Sequence, residues 1–523
     1  MIKGFRQIAS LTAVSRVFGM VRDIAFAHFF GAGWLMTAWT MGFKIPNLAR
    51  RLFGEGAASA SFIPVYSEQL HRNPQQAKEL ANTVVTVIFV VLAVIVLIGE
   101  GLVWGYYGFF ETRFGPRLGL TLCSIMLPYM IFVCMVAILA GILNVHRHFA
   151  TPAAAPIVLN IFIIASILFA GWVLKIKAEQ QVFFVAAAVL IAGLGQIAIQ
   201  IPSLRASGVS IRPAWRIHSE PFRKIIILMG PMIIGLTVTQ LNTLADDIIA
   251  LSFMSEQGYP LSYGAPSYLY YAQRLYQFPL GVLGISLATA IFPVMSSDAA
   301  RKDFDALATT IARGIKAAVF IAIPATAGIF LVARPLVSAI FEHGKFESAD
   351  TPVVAWTLSF YAAGLCGYFA QQILTRAFYS LQDSKTPMCS AVIAVFVNIV
   401  LNLTLIWFLG TAGLALSTAI CSYLQVVILI LVLRGRFEHS ILDGFLATLV
   451  KTIVAMVFMV LVGAAIISLM AKLPDNRWFN VLRLAAIVPS AAAVYLLVAK
   501  ILHIEMLSLL TGHRETTNGS IDD

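Results

Sequence analysis

Charge is what this sequence has least of. Only 12% of its 523 residues are Asp, Glu, Lys or Arg, while 59% are hydrophobic and the mean hydropathy is +0.87. A soluble domain carries about 25% charged residues. A soluble chain of this length would also divide into several domains, each needing a hydrophilic surface, and so few charges cannot furnish those surfaces. Long polar linkers are missing as well. Apolar segments of about 20 residues, each long enough to cross a hydrocarbon core of about 30 Å, follow one another along the chain. Open sheet edges cannot persist in lipid, so these segments are helices.

Cysteine is scarce too. Cys123, Cys134, Cys366, Cys389 and Cys421 are odd in number, lie in apolar runs and show no metal-type spacing. They read as small core hydrophobes, not as a disulfide frame or zinc site. The first apolar stretch holds Arg16, Arg22 and Asp23 and lacks a convincing cleavage site, so a removed signal peptide is not expected. There is no Walker motif, nucleophile elbow or metal-ligand cluster. Gly31-Ala32-Gly33 follows no strand and reads as a turn, not a phosphate loop. The chain therefore does not read as an enzyme, and hydrolysis within it would not power transport. His146 and His148 flank Arg147 in a short loop and read as solvated. The net charge of +11 does not call for a nucleic-acid partner, because positive-inside loops give the same excess.

What is present is an all-α membrane protein of about fourteen spans, expected near 8–30, 35–63, 81–108, 117–144, 153–174, 182–203, 224–254, 268–297, 309–341, 352–380, 387–409, 412–434, 443–471 and 479–503. With the N-terminus inside, sixteen Lys and Arg fall in inner segments and seven in outer loops. That bias predicts cytoplasmic termini and an inner-membrane, multi-pass protein. Landmarks recur at a near-constant offset. Phe62-Ile63-Pro64-Val65 resembles Ile291-Phe292-Pro293-Val294, 229 residues on. Phe43-Lys44-Ile45-Pro46 matches Gln277-Phe278-Pro279 in position. Thr151-Pro152 before Asn160 resembles Thr386-Pro387 before Asn398. The pairs match span 2 with 8 and span 5 with 11. They predict two six-helix lobes related by a pseudo-two-fold along the membrane normal, a common transporter architecture. The expected divisions are 1–222 and 223–436 for the lobes, 437–505 for helices 13 and 14, and 506–523 for a loose cytoplasmic tail.

Charges sit where lipid should be. Arg16, Arg22 and Asp23 lie in span 1, Lys44, Arg50, Arg51 and Glu55 in span 2, and Arg274 in span 8. An Arg or Lys at mid-bilayer costs about 2.5–3.5 kcal/mol even on the insertion scale. These residues must face water or one another, as a cavity lining or as snorkelling and paired structural groups. Lys44, Asn47, Arg51 and Glu55 form one helical stripe. Arg16 and Asp23, seven apart, share a face. Six cations against two acids imply an anionic substrate, and the planar arginine fork favours phosphate.

At these residues the chain resembles a known family. Ser15-Arg16-Val17-Phe18-Gly19 with Arg22-Asp23, Phe30-Gly31-Ala32-Gly33, and Phe43-Lys44-Ile45-Pro46-Asn47-Leu48 with Arg50-Arg51 and Glu55-Gly56-Ala57 look like the N-terminal signature of the MurJ (MviN) lipid II flippases. Tyr271-Ala272-Gln273-Arg274-Leu275 with Phe278-Pro279-Leu280-Gly281-Val282 resembles the family's span 8. Phe378-Tyr379-Ser380 with Asp383, Lys385, Thr386 and Pro387 extends the match. The resemblance implies the multidrug/oligosaccharidyl-lipid/polysaccharide exporter fold and transfer of lipid II (undecaprenyl-pyrophosphoryl-disaccharide-pentapeptide) between leaflets. It implies that Arg16, Arg22, Arg50 and Arg274 line a central cavity, with spans 13 and 14 forming a groove for the polyprenyl tail. Membrane lipids and the cell-wall synthesis machinery are the partners implied. Some members carry acids where Thr37, Gln273 and Gln277 stand, so carboxylate chemistry at those positions is not available here.

A cation site is a further expectation. Asp246 lies in mid-span 7, Asn398 and Asn402 share a face of span 11, and Leu414 and Thr418 share a face of span 12. Hard oxygen ligands suit an alkali cation, and the set resembles the sodium site of some MurJ proteins, with Asn402 where others have an acid. The alternative is that the asparagines bridge helices and that Asp246 is paired or protonated. Asp247 is the neighbouring carboxylate, about 100° away. Other functions compatible with the sequence are flipping of another polyprenyl-linked glycan and cation-coupled drug export on the same fold. The arginine surplus opposes the second.

Overall fold

The computed structural model describes residues 2–52, 57–109, 114–255, 257–437 and 441–507. Glu55 and the chain beyond 507 lie outside the described residues. So do the side chains of 2–9, 57–60, 114–116, 231, 234–236, 238 and 239.

Helices occupy every expected span. They are α1 (Ile2–Phe30), α2 (Trp34–Ala49), α3 (Ala57–Arg72), α4 (Pro74–Phe109), α5 (Phe114–Met126), α6 (Tyr129–Val145), α7 (Ala150–Leu168), α8 (Ala178–Ala198), α9 (Ile201–Ala206) and α10 (Glu220–Ser252). After these come α11 (Ala265–Pro279), α12 (Ile285–Ala300), α13 (Phe304–Phe341), α14 (Asp350–Ala363), α15 (Leu365–Ser380), α16 (Lys385–Leu409), α17 (Thr411–Arg434), α18 (Phe445–Leu469) and α19 (Arg477–Ile501). Among the described residues, nine helices are long and apolar enough to cross a membrane, or eleven if two bent pairs each make one span. The expected count of fourteen is therefore not reached by length and composition alone. The other three expected spans are the charged α1, the stretch that holds α2 and α3, and α10.

The chain divides into two compact units. One holds the chain up to Leu244 with Tyr263–Ser267 and His343–Glu347. The other holds Ala245–Ser262, Tyr268–Glu342 and the chain from Ser348 on. The division falls inside α10, later than the expected 222/223 boundary. In the first unit, α1 packs on α7, α2 on α5, and α7 on α8. In the second, α16 packs on α17, and α18 and α19 lie on each other and on α13. Their shared core contains Phe320, Ala455, Met459, Ala491 and Tyr495, with the buried Tyr495 hydroxyl donating to the Phe320 carbonyl at 2.6 Å.

The internal repeat is visible in local geometry. Arg147 and Gln382, 235 residues apart, both adopt a left-handed φ, 62° and 59°. His148 N–H donates to Leu143 O and Asp383 N–H to Phe378 O, each at 2.9 Å. This is the same helix-terminating bond pattern, built twice without glycine. Asn73 accepts from Gln76 N–H at 3.2 Å ahead of α4, and Asp303 accepts from Ala306 N–H at 3.0 Å ahead of α13. The α5/α6 and α14/α15 pairs each bend by 41°. A π-helical turn follows the proline of each matched motif, at 50–52 after Pro46 and at Leu280–Gly284 after Pro279. A proline removes one backbone donor from the helical ladder, and a wider turn re-registers the chain.

Two sequence expectations need correction, and Glu55 of the Lys44–Asn47–Arg51–Glu55 stripe lies outside the described residues. His146 is not merely solvated: it is half-buried and its Nε2 lies 3.0 Å from the Tyr66 hydroxyl. Burial and the neighbouring His148 push its imidazole pKa down. Cys389 is exposed and Cys366 half-exposed, whereas the other three cysteines are buried.

The turn between α15 and α16 is held by charge. Asp383 caps α16 through Thr386 N–H at 3.0 Å and Thr386 Oγ1 at 2.7 Å, and it pairs with Arg436 at 2.5 Å. Arg436 also lies 5.2 Å from the Phe378 ring centroid. Burial raises the Asp383 pKa, but these donors outweigh it and hold the carboxyl at about 2. That lies below the unfolded value of about 3.9, so the clamp stabilises fully above about pH 4 and is lost as pH falls toward 2. Asp383→Asn is expected to lower thermal stability by a constant increment between pH 5 and 8. The gap to wild type should shrink below about pH 4, as read by thermal melts in detergent. A gap independent of pH down to 2.5 would contradict the clamp.

Candidate functional site

The charged residues of α1 are positioned by α7. Asp23 is buried, with a side-chain exposure of 3%, and Arg22 is nearly so at 13%. Arg22 places Nε and Nη2 on Asp23 Oδ1 at 3.0 and 2.8 Å, and its Nη1 donates to Asn160 Oδ1 at 3.0 Å. Asn160 returns Nδ2 toward the Ser15 carbonyl at 3.4 Å. The guanidinium is thus held on two helices at once. Sequence reasoning used Asn160 only as a repeat landmark, and its burial in mid-helix was the signal for more. Arg16, on the same helix, is exposed.

In α2, Lys44 and Asn47 are half-buried, and Arg50 Nε donates to Asn47 Oδ1 at 3.0 Å. Within the π turn, Arg51 reaches Gln240 Oε1 of α10 at 3.0 Å. The first unit therefore carries five of the named cations and the buried Asp23. Arg274 belongs to the second unit, on α11, with its guanidinium 4.6 Å from the Tyr270 ring centroid. The Thr37 hydroxyl lies 2.8 Å from Ser267 Oγ and 3.2 Å from the carbonyls of Gly33 and Tyr263. Close by in sequence, Gly31 and Gly344 interlock. Both have φ near +65°, and a Cβ on either would fall 2.4 Å from the Lys345 carbonyl oxygen or 2.3 Å from that of His28.

The second unit gathers the expected cation ligands. Asp246 is buried, as are Asn398 and Asn402. Asn402 Nδ2 donates to Asp246 Oδ1 at 2.6 Å and to Asn398 Oδ1 at 2.9 Å. Thr418 Oγ1 lies 3.4 Å from Asp246 Oδ2 and 3.0 Å from the Leu414 carbonyl. Ser417, which sequence reasoning missed although it sits one turn from Leu414, donates to Asn402 Oδ1 and to Leu414 O. Three helices, α10, α16 and α17, so contribute one carboxylate, two amide oxygens, two hydroxyls and a carbonyl. These are hard donors of the kind an alkali cation takes. A half-turn of the Asn402 amide would present oxygen to the group instead of N–H. A stack of Tyr276 with Tyr361 and Tyr368, centroids 4.8 and 5.5 Å apart, completes the buried polar layer, and Gln273 donates to the Tyr361 hydroxyl at 3.0 Å. Among the described residues no three His, Cys, Asp or Glu converge to hold a metal.

Comparison with known proteins now bears on this arrangement. Residues 26–487 match the family model described as "Lipid II flippase MurJ". A probable lipid II flippase MurJ of Vibrio cholerae serotype O1 is 34% identical over 435 residues, covering 81% of each chain. The lipid II flippase MurJ of Burkholderia cenocepacia is 31% identical over 470 residues, covering 88% of this chain and 87% of its own. Among solved structures, a lipid II flippase MurJ in an inward closed conformation aligns over 96% of this chain and 99% of its own, with a TM-score of 0.76 and 24% identity. An inward-facing multidrug transporter of the MATE family aligns with a TM-score of 0.64 at 14% identity, over 82% of this chain and 97% of its own. These last two likenesses show the fold.

The Arg22–Asp23–Asn160 group separates stability from activity. Removing one partner of a buried ion pair costs about 3–5 kcal/mol, whereas replacing both by apolar residues is often neutral. Asp23→Ala is therefore expected to lower thermal stability strongly, and Arg22→Met with Asp23→Leu to restore most of it. The double variant should still fail to replace the wild-type gene. A double variant as active as wild type would make the pair purely structural.

Proposed function

The chain belongs to the MurJ family of lipid II flippases, and from that premise we infer that it moves lipid II from the inner to the outer leaflet of the cytoplasmic membrane by alternating access. The observation that carries this reading is the cationic set of α1 and α2, in which Arg22 is held on the buried Asp23. Arg16, Arg22, Lys44, Arg50 and Arg51 are five cations against the two acids Asp23 and Glu55. Arg274 is assigned to the same substrate through the Tyr271-Ala272-Gln273-Arg274 motif. A pyrophosphate carries the complementary charge, and guanidinium forks bind its oxygens in pairs. Asp23 and Asn160 orient Arg22, so less ordering remains to be done when the headgroup arrives. Asn47 does the same for Arg50. The undecaprenyl tail need not enter this polar region. It lies along α18 and α19, whose outward residues Leu446, Val450, Val457, Leu461 and Leu482 are exposed apolar side chains.

Both termini are cytoplasmic on the loop-charge bias, and the released substrate goes to the cell-wall synthesis machinery. Asp246, Asn398, Asn402, Leu414 and Thr418 would hold a sodium ion, whose entry would supply about 2.3 kcal/mol per charge per 100 mV of membrane potential for the return step. The cation-coupled drug-export reading is not favoured, because its cavity would be apolar or acidic.

Complementation of a flippase-depleted strain tests the substrate residues. Ala at Arg16, Arg50 or Arg274 is expected to abolish growth, and Lys to rescue poorly where the contact is two-pronged. Full growth of all three Ala variants would overturn the assignment. For the cation, flipping in vesicles should depend on sodium in wild type and lose that dependence in Asp246→Ala. Equal dependence in both would reject the site without touching the substrate assignment.

A further inference from the structure

The first unit carries an apolar slot that the flipping reading does not use. It lies among α3, α4 and the start of α10, with a volume of about 90 Å³ and a wall without polar surface, formed by residues that include Phe62, Val84, Ile88, Phe222, Ile225 and Met229. Its lip is exposed, at 46% for Val91 and 44% for Ile226, so it opens toward the lipid side. A cavity of this size takes the end or a bend of a hydrocarbon chain, being smaller than the cavity of about 150 Å³ that admits benzene.

A basic shelf is fixed beside it. The segment between α9 and α10 folds back on α4. Arg212 N–H donates to Asn82 Oδ1 and Ala214 N–H to Thr86 Oγ1, both at 3.1 Å. Arg216 pairs with Glu79 at 2.7 Å and Lys224 with Glu68 at 2.8 Å. The anchors Asn82 and Thr86 are within one helical turn of the slot residues Val84 and Ile88, and Arg223 is flanked on α10 by the slot residues Phe222 and Ile225. Arg212 and Arg223 are exposed and have no acidic partner among the described residues. Glu79 and Glu68 are thus spent on Arg216 and Lys224, and Glu220, one turn before Arg223 on α10, makes no ion pair with it among the described residues, which leaves Arg212 and Arg223 to an outside anion.

We propose that this slot and shelf bind one anionic phospholipid of the inner leaflet, with an acyl chain in the slot and the phosphate on Arg212 and Arg223. The pairing of a chain-sized apolar wall with surplus cations pinned at its rim selects a lipid that has both parts. Basic pockets between transmembrane helices on the cytoplasmic side bind such headgroups. The cytoplasmic placement rests on the loop-charge orientation. The site is independent of the substrate assignment, and its occupant is a phospholipid, not the flipped precursor.

The test is lipid retention by the purified full-length protein in detergent, read by native mass spectrometry with phosphatidylglycerol or phosphatidylethanolamine of identical chains. Wild type should retain the anionic lipid over the zwitterionic one by more than tenfold, at about fivefold for each arginine. Arg212→Gln with Arg223→Gln should erase the preference while leaving chain binding. Ile88→Trp should reduce retention of both lipids, and Val91→Trp on the exposed lip does the same service if Ile88→Trp does not fold. Equal retention of the two lipids by wild type, or an unchanged preference in the double Gln variant, would overturn the site. So would displacement of phosphatidylglycerol by an equal amount of lipid II, which would assign the slot to the substrate.

Discussion

The cost of an ion in hydrocarbon governs this molecule. A lone guanidinium or carboxylate at mid-bilayer is unfavourable by several kcal/mol, so each charge of α1, α2 and α10 must be met by water, by a counter-charge or by a hydrogen-bonding side chain. Asp23 and Asn160 do this for Arg22, and Asn402 and Thr418 do it for Asp246. Removing either support would strand its partner. Helix packing follows from the same demand. The α1–α7 contact is drawn together around Arg22, and the contact of α10 with α16 and α17 around Asp246. The remaining surfaces of those helices are apolar and can face lipid or core indifferently.

Backbone irregularities sit beside these charges for a related reason. Prolines 46 and 279 each remove a ladder donor, and in both units a π-helical turn follows. Such a turn rotates all later side chains around the helix axis. In α2 Arg51 lies within this turn and reaches Gln240 of α10.

Much of this was legible in the sequence, for definable reasons. Hydrocarbon thickness dictates span length, so every expected span contains a helix. The repeat was legible because prolines and caps are local signals, and Arg147 and Gln382 show that even the left-handed turn residue recurs without a glycine to mark it. The Asp246 cluster was legible because i, i+4 spacing survives in regular helices such as α16. What was not legible depends on contacts between helices distant in sequence. Asn160 as the third member of the Arg22 group, Ser417 as the donor to Asn402, and the fold-back of Arg212 onto Asn82 leave no periodic trace. The π turn was missed because a proline announces a break in the ladder but not the direction in which the chain re-registers.

The two polar groups differ in how their carboxylates are met. In the first unit Asp23 is linked to Asn160 of α7 only through Arg22, whereas in the second Asp246 accepts directly from Asn402 of α16. In the first unit the residue adjacent to the carboxylate is Arg22, so a permanent cation is tethered between Asp23 and Asn160. In the second unit the residue adjacent to Asp246 is Asp247, and the carboxylate meets amides and hydroxyls whose dipoles can turn. A tethered guanidinium cannot leave, whereas oxygens on rotatable groups can take up and release a small cation. The first arrangement suits the anionic headgroup proposed above, and the second the small cation proposed above.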